Sequence, residues 1–287
     1  MLVDLVNTKS SDDVTLSGIV LEPETSRQDL LVDAMVMIHG SGGNFYLSPS
    51  NPRAMKLRDM GIPTALFNTR GHDVIGGRAG SIRTGNAYEK LSETHLDVQA
   101  MVNFMVARGY KRVGIWGSSL GAVRVILAQA KNQDPNVAAV ISLAPLRFSH
   151  EYYAKCEMAE EHLKNYENAK ALAEAGRGHE IMFLDFPNPG GYFSADVYLD
   201  RHCSEHYDIT KAYTNQIDCP LLILTGSEEI HPRMINAGRD MAALCAGREN
   251  VTWIDLEGGD HGWHNKEEDL FRVVPEWLGI KEFAGAV

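Results

Sequence analysis

Two adjacent serines between two glycines give the clearest sign of chemistry in this sequence. Residues 113–125 read VGIWGSSLGAVRV, and the stretch 117–121 within it fits the spacing G-x-S-x-G, which is typical of a serine on a sharp turn between a strand and a helix. Only Ser119 has glycine both two residues before it and two residues after it. Those glycines admit a strained turn without Cβ clashes and hold the serine hydroxyl above the sheet. The spacing therefore predicts Ser119 as a nucleophile.

A serine needs a base to take its proton and an acid to orient that base. Among 11 histidines, His261 stands in LEGGDHGWH, directly after the last predicted strand, and His264 follows three residues later as the alternative. His39, His72 and His231 also follow predicted strands, so position alone does not select the base. Chain order favours His261, because the base comes last when serine lies on such a turn.

The acid is expected after the strand that precedes the histidine, in LLILTGSEEIHP. This segment contains no aspartate and offers only Glu228 and Glu229. Either carboxylate could accept the imidazole N–H and hold the tautomer of the ring. The residues alone leave both glutamates as candidates.

Two backbone N–H groups are predicted to stabilise the oxyanion that forms during attack on a carbonyl carbon. One belongs to Leu120, at the start of the helix that follows the serine, where the helix dipole also favours negative charge. The other is assigned to Ser41, in the glycine-rich loop HGSGGNFY that spans residues 39–46. A phosphate-binding role for this loop is disfavoured, because no Gly-Lys-Ser/Thr follows it and the chain is acidic.

The composition is that of a globular protein with a full core and excludes several classes of partner. The chain has 287 residues, of which 44% are hydrophobic and 23% charged, with 27 basic and 38 acidic side chains and a formal charge of −11. This charge disfavours nucleic acid and anionic membrane surfaces as partners. No stretch approaches the roughly 18–20 apolar residues of a membrane span. The polar, acidic start lacks the features of a signal peptide, so we expect a cytoplasmic protein.

The sequence predicts no metal and no cofactor. The four cysteines are scattered without a C-x-x-C pair, which is typical of free thiols in a reducing compartment; they are Cys156, Cys203, Cys219 and Cys245. Asp260, His261 and His264 could together face a metal ion, but no other cluster supplies ligands at a matching spacing.

Alternation of apolar strands and amphipathic helices predicts one α/β domain over residues 1–287, with a mostly parallel sheet covered by helices on both faces. Ligand sites in such folds lie at the carboxyl ends of the strands. Strands are predicted at 14–23, 33–43, 63–72, 112–117, 137–146, 220–226 and 250–258. Helices are predicted at 54–62, 88–110, 121–131, 233–246 and 266–278.

The alternation is interrupted between about residues 147 and 217. A charged, alanine-rich helix is predicted at 151–176 with a break near Asn165, followed by a segment rich in aromatics, proline and glycine. Because long insertions beside the strand ends often cover a binding pocket, we expect a lid here. Its aromatic residues could face substrate or form a small core of their own.

Taken together, these motifs resemble the α/β-hydrolase superfamily over nearly the whole chain. The matching segments are HGSGG, NTRGHD, GSSLG, GSEE and GGDHGW, which follow the third, fourth, fifth, seventh and eighth strands of that fold. The resemblance implies an eight-stranded, mostly parallel sheet, a helical lid after the sixth strand and a Ser–acid–His triad. It assigns Ser119 as nucleophile, His261 as base and Glu229 as acid, with the oxyanion held by Ser41 and Leu120. Glutamate stands where aspartate is commoner, which keeps Glu228 as an alternative.

The resemblance implies a serine hydrolase that cleaves a carboxylic ester through an acyl-enzyme. An acyltransferase, thioesterase, lactonase, amidase or carbon–carbon hydrolase would use the same residues, and a non-catalytic small-molecule receptor is the alternative from another class. The expected partner is a small acyl substrate, and the sequence leaves the oligomeric state open. Phe45, Tyr46 and Trp263 adjoin the motifs and are candidates for substrate contact, with packing in the core as the alternative.

Overall fold

Short aliphatic and β-branched runs form one eight-stranded sheet in the computed structural model, which describes residues 3–47, 50–186 and 191–280. The strands are β1 (Asp4–Lys9), β2 (Thr15–Leu21), β3 (Ala34–Ile38), β4 (Thr64–Phe67), β5 (Val113–Ser118), β6 (Val137–Leu143), β7 (Leu221–Gly226) and β8 (Val251–Leu256). Their order across the sheet is β1-β2-β4-β3-β5-β6-β7-β8. Strand β2 is antiparallel to β1 and β4, and all other neighbours are parallel. The predicted mostly parallel, eight-stranded sheet is confirmed.

Helices cover both faces of this sheet. They are α1 (Ser50–Asp59), α2 (Thr94–Ala107), α3 (Leu120–Asn132), α4 (His150–Tyr153), α5 (Ala159–Glu174), α6 (Ala195–His202), α7 (Ala237–Leu244) and α8 (Glu267–Trp277). Because side chains alternate along a strand, Val36 packs in the layer of α2 and α3, while Met35 packs in the layer of α1 and α8. None of the helices within the described ranges has the length and apolar character needed to cross a membrane.

Two local predictions differ from the structure near the N-terminal half of the sheet. Strand β1 was not predicted, because it lies at the sheet edge and buries only Val6 among its six residues. Helix α2 begins at Thr94 instead of residue 88. The preceding residues form a turn in which the Glu89 N–H donates to the Gly85 carbonyl and the Glu89 side chain is buried.

The segment between β6 and β7 contains α4, α5 and α6, and we refer to residues 147–217 as the insertion. It is not purely helical, since strands Ile181–Leu184 and Gly191–Ser194 form an antiparallel ribbon. The predicted break near Asn165 is wrong: α5 continues through this residue, and the chain breaks between α4 and α5 instead. The Asn165 side chain is buried and donates to the Phe186 carbonyl at 3.4 Å, so it does not compete with the helix backbone.

Some of the aromatic residues of the insertion form a small core of their own, which is one of the two alternatives predicted, whereas Phe183 and Tyr192 are exposed. His202 lies in this core, with its ring about 5 Å from those of Phe148, Phe193 and Tyr198. Neither ring nitrogen has a hydrogen-bond partner within the described ranges. Burial, reinforced by Arg201, therefore lowers the pKa of His202 well below its ordinary value.

This buried histidine should make the protein sensitive to acid. Folding keeps His202 neutral, whereas the unfolded chain binds a proton below about pH 6.5, so the free energy of unfolding falls by up to about 1.4 kcal/mol for each pH unit below that value. We expect His202→Phe to reduce the slope by this amount in urea unfolding between about pH 7.5 and about pH 5.5. His179→Phe removes an exposed histidine and should leave the slope unchanged. Parallel curves for wild type and His202→Phe would contradict the prediction.

Candidate active site

Ser119 lies on a strained turn between β5 and α3. Its φ of 57° and ψ of −119° place a non-glycine residue at positive φ, a conformation that persists only where the surrounding structure enforces it. A Cβ at Gly117 would lie 2.0 Å from the Gly121 carbonyl oxygen, and a Cβ at Gly121 would lie 2.3 Å from that of Ile38. Both positions therefore require glycine, for the steric reason that the spacing indicated.

The structure brings the side chains of Ser119, His261 and Glu229 together. The Ser119 Oγ lies 3.0 Å from His261 Nε2, and His261 Nδ1 lies 3.0 Å from Glu229 Oε1. A carboxylate accepts a hydrogen bond, so Nδ1 carries the imidazole proton and Nε2 accepts from the serine hydroxyl. This chain of hydrogen bonds can transfer the serine proton to the imidazole.

Backbone contacts hold the loop after β7, which carries Glu229, against the loop after β8, which carries His261. A Cβ at Gly226 would lie 2.2 Å from the Gly259 carbonyl oxygen, so the two backbones pass in direct contact. The Glu228 N–H donates to that carbonyl at 3.0 Å, and the Gly258 N–H donates to Ser227 Oγ at 2.8 Å. These contacts fix the separation of the carboxylate and the imidazole.

The structure distinguishes between the two candidate acids, Glu228 and Glu229, and between the two candidate bases, His261 and His264. Glu229 is buried, whereas Glu228 is exposed. Burial raises the pKa of the Glu229 carboxyl above its ordinary value, although the hydrogen bond with His261 opposes this shift. His264 is exposed, and its Nδ1 lies 3.1 Å from Asp260 Oδ2. Because the ring nitrogens of His261 contact Ser119 and Glu229, the structure does not bring Asp260, His261 and His264 to a shared metal position.

The glycine-rich loop lies against the serine. A Cβ at Gly40 would be 3.2 Å from the Ser119 Cβ, and the next residue is Ser41. The Ser41 N–H donates to no acceptor within residues 3–47, 50–186 and 191–280. Leu120 is the first residue of α3, so its N–H has no acceptor within the helix. One predicted oxyanion donor, Leu120, directly follows Ser119, and the other, Ser41, directly follows Gly40, whose backbone contacts Ser119. Their role stays a prediction.

Solved structures share this architecture. The chain matches an α/β hydrolase, GrgF, from Penicillium sp. sh18 with a TM-score of 0.69 and 18% identity, over 97% of this chain and 98% of that one. It matches the Pyrococcus furiosus esterase PF2001 with a TM-score of 0.68 and 16% identity, over 96% and 90% of the two chains. The chain has the α/β-hydrolase fold.

A third structure with this fold is Est1E from Butyrivibrio proteoclasticus, solved with ferulic acid bound. It aligns with a TM-score of 0.63 and 16% identity, over 94% of this chain and 97% of Est1E. Comparison of the sequence with protein-family models and with curated protein sequences finds no match. The likeness therefore concerns the α/β-hydrolase fold, which agrees with the resemblance drawn from the motifs.

Beneath the glycine-rich loop of this α/β-hydrolase fold lies a buried ion network that the sequence interpretation missed. Arg124 on α3 donates to both carboxylate oxygens of Glu89, at 2.8 and 2.6 Å, and to the His39 carbonyl at 2.7 Å. Arg201 on α6 donates to the same carboxylate at 3.1 Å. Burial alone would raise the pKa of Glu89, but the two guanidinium groups outweigh it and lower the pKa. The network links the insertion to the loop that carries Ser41.

His39 helps to hold the same loop in place. Its Nδ1 donates to the Gly40 carbonyl at 2.8 Å, and its Nε2 accepts from the Thr69 N–H at 3.1 Å. Burial and the nearby Arg124 lower the pKa of His39 to about 3, so the ring is neutral near pH 7. Although it follows a strand, His39 is engaged in loop contacts and does not reach toward a reacting group.

The three predicted substrate contacts occupy different environments. Trp263 is fully buried in the layer of α1 and α8, which supports the packing alternative for this residue. Phe45 is partly buried against the same layer. Tyr46 is half exposed, and its hydroxyl donates to Asp73 Oδ2 at 2.5 Å. Of the three, Tyr46 keeps the most surface available for a ligand.

Proposed function

We propose that this protein is a serine hydrolase that cleaves a carboxylic ester through an acyl-enzyme. The observation that carries the proposal is the continuous hydrogen-bond chain from Ser119 through His261 to the buried Glu229, with both distances at 3.0 Å. A nucleophile, a base and an orienting acid at hydrogen-bond distance form the constellation required for acyl transfer. The strained backbone at Ser119 adds support, because such strain concentrates at functional sites.

The reaction follows from the positions of these groups. Ser119 Oγ attacks the ester carbonyl carbon while His261 Nε2 takes the hydroxyl proton, and the N–H groups of Ser41 and Leu120 donate to the oxyanion. Collapse of the tetrahedral intermediate breaks the carbon–oxygen bond, and His261 protonates the departing alcohol. Water then attacks the acyl-enzyme with His261 again as base, which releases the acid and restores Ser119. Glu229 holds the imidazole in the required tautomer throughout.

An ester is the acyl substrate that we propose first, because the structural neighbour PF2001 is named as an esterase. We further propose that the insertion acts as a lid that selects the substrate. Arg201 of the insertion reaches the Glu89 carboxylate, which also binds Arg124 under the Ser41 loop. A structural change in the insertion would therefore alter the position of the loop that carries Ser41.

Labelling with a fluorophosphonate probe tests the proposed function directly. This probe reacts covalently with an activated serine, so the folded wild-type protein should label, whereas protein that is heat-denatured before the probe is added should not. A panel of p-nitrophenyl esters of increasing acyl length should then show hydrolysis with a length preference. A folded wild-type protein that neither labels nor hydrolyses any ester would support the alternative of a non-catalytic receptor.

The choice of acid gives a separate prediction. Glu229→Gln retains the shape of the side chain but removes the charge that orients and stabilises the imidazolium, so we expect kcat to fall by about 10,000-fold. Glu228→Gln is the matched control, since that carboxylate is exposed, and its kcat should stay near the wild-type value. Steady-state hydrolysis of the best p-nitrophenyl ester measures both. The reverse order of effects would move the acid to Glu228.

A further inference from the structure

The insertion brings together three side chains of types that commonly bind metals. None of the three belongs to the proposed active site. His150 begins α4, His162 lies in α5, and Cys203 is the C-cap of α6. His150 Nδ1 lies 2.9 Å from His162 Nε2, and the ligand atoms of all three residues lie within 4.8 Å of one another. The sequence spacing gave no hint of this set, because separate helices supply its members.

A hydrogen bond on the Nδ1 side of the ring fixes the orientation of His162. Its Nδ1 lies 3.0 Å from the Tyr198 hydroxyl, which leaves Nε2 directed at His150. The ring is fully buried and makes an edge contact with Tyr153, while the His150 ring packs against Tyr166. A polar partner on the outer nitrogen of a ligating imidazole is the arrangement that orients ligands in metal sites.

We propose that His150, His162 and Cys203 bind Zn²⁺ and join α4, α5 and the end of α6. Two imidazoles and a thiolate are ligands that Zn²⁺ favours, whereas Mg²⁺ and Ca²⁺ require oxygen ligands that this set lacks. Ligand atoms about 2.0–2.3 Å from a tetrahedral Zn²⁺ lie about 3.3–3.8 Å apart. The two histidine nitrogens lie 2.9 Å apart and all three ligand atoms lie within 4.8 Å of one another, so binding requires the nitrogens to separate slightly and the thiol to approach them. His150 and Cys203 are only half-buried, so a water molecule can complete the tetrahedron.

Protonation of the ligands makes binding depend on pH. Burial lowers the pKa of His162 to about 4, so this ring is neutral and ready to bind near pH 7. Burial raises the pKa of the Cys203 thiol to about 12, so the metal must displace the thiol proton, which passes to the buffer. Binding therefore exchanges one proton for the Zn–S bond and weakens as pH falls.

Cobalt substitution tests the site without any assay of activity. The full-length protein is stripped with a chelator and titrated with Co²⁺, and we expect one equivalent to produce the visible bands of tetrahedral cobalt together with a near-ultraviolet thiolate charge-transfer band. Zn²⁺ should then abolish both sets of bands. Calorimetry with Zn²⁺ on the stripped protein should also give one site per chain, and bound Zn²⁺ should raise the Tm.

Two variants locate the metal. Cys203→Ser should abolish the charge-transfer band and weaken Zn²⁺ binding by at least about 10-fold, and His150→Gln should weaken it similarly. Cys219→Ser removes another half-buried free thiol and should bind as the wild type does. Absence of a charge-transfer band in the wild type, or equal binding by wild type and Cys203→Ser, would overturn the proposal, since the metal would then be adventitious or bound elsewhere.

Discussion

Ser119→Ala is expected to lower the kcat for ester hydrolysis by about a million-fold, the loss typical when the serine of a Ser–His–acid triad is removed. The neighbouring Ser118 does not take its place, because the Ser118 Oγ has no hydrogen-bond partner within the described ranges and so contacts no base there. Steady-state kinetics with the best p-nitrophenyl ester, together with fluorophosphonate labelling, measures the loss.

The control for this prediction is the neighbouring serine. Ser118→Ala removes an unpaired hydroxyl and should retain kcat and labelling near the wild-type values. Alanine at 119 meets the same strained φ as serine, so Ser119→Ala should unfold within a few degrees of the wild-type Tm. Loss of activity in Ser118→Ala with retention in Ser119→Ala would place the nucleophile one residue earlier and contradict the glycine-spacing argument.

The turn at Ser119 shows what local sequence can predict. The clash that a Cβ at Gly117 or Gly121 would produce involves backbone within a few residues or on the neighbouring strand β3, so a short motif encodes the geometry. The same holds for the base and the acid: each follows a strand, and parallel strands bring their carboxyl ends to one edge of the sheet. For this reason the sequence predicted the sheet and the grouping of Ser119, His261 and a glutamate, while the choice of Glu229 over Glu228 came from the resemblance to the α/β-hydrolase superfamily.

Residues that act across the fold were not predictable in this way. Arg124 stands in an otherwise apolar helical run, and its partner Glu89 lies 35 residues before it. The same carboxylate also pairs with Arg201 of the insertion. The sequence signal for this network was the charge of Arg124 within a buried helix, because a buried charge must be paired. No periodicity indicates which carboxylate pairs with it. Similarly, His150 and Cys203 meet only because α4 and α6 pack in one small core.

His261→Ala should lower kcat by about a million-fold, as loss of the base does in comparable triads. The variant leaves the Glu229 carboxylate buried without its hydrogen-bond partner, so burial should raise the pKa of Glu229 further and the Tm should fall. Because the serine and the oxyanion donors remain, added imidazole should restore part of the hydrolysis rate by entering the vacated space. Rescue of this kind distinguishes a missing base from a collapsed site.

His264→Ala is the matched control, since its side chain is 80% exposed and contacts Asp260 rather than Ser119. We expect its kcat to lie within about twofold of the wild-type value, because an exposed surface pair contributes little to the site. A His261→Ala protein that hydrolyses esters as the wild type does, with loss of activity in His264→Ala, would move the base by three residues. That outcome would also require the loop after β8 to rearrange before reaction, because His264 lies outside hydrogen-bond reach of Ser119 in this structure.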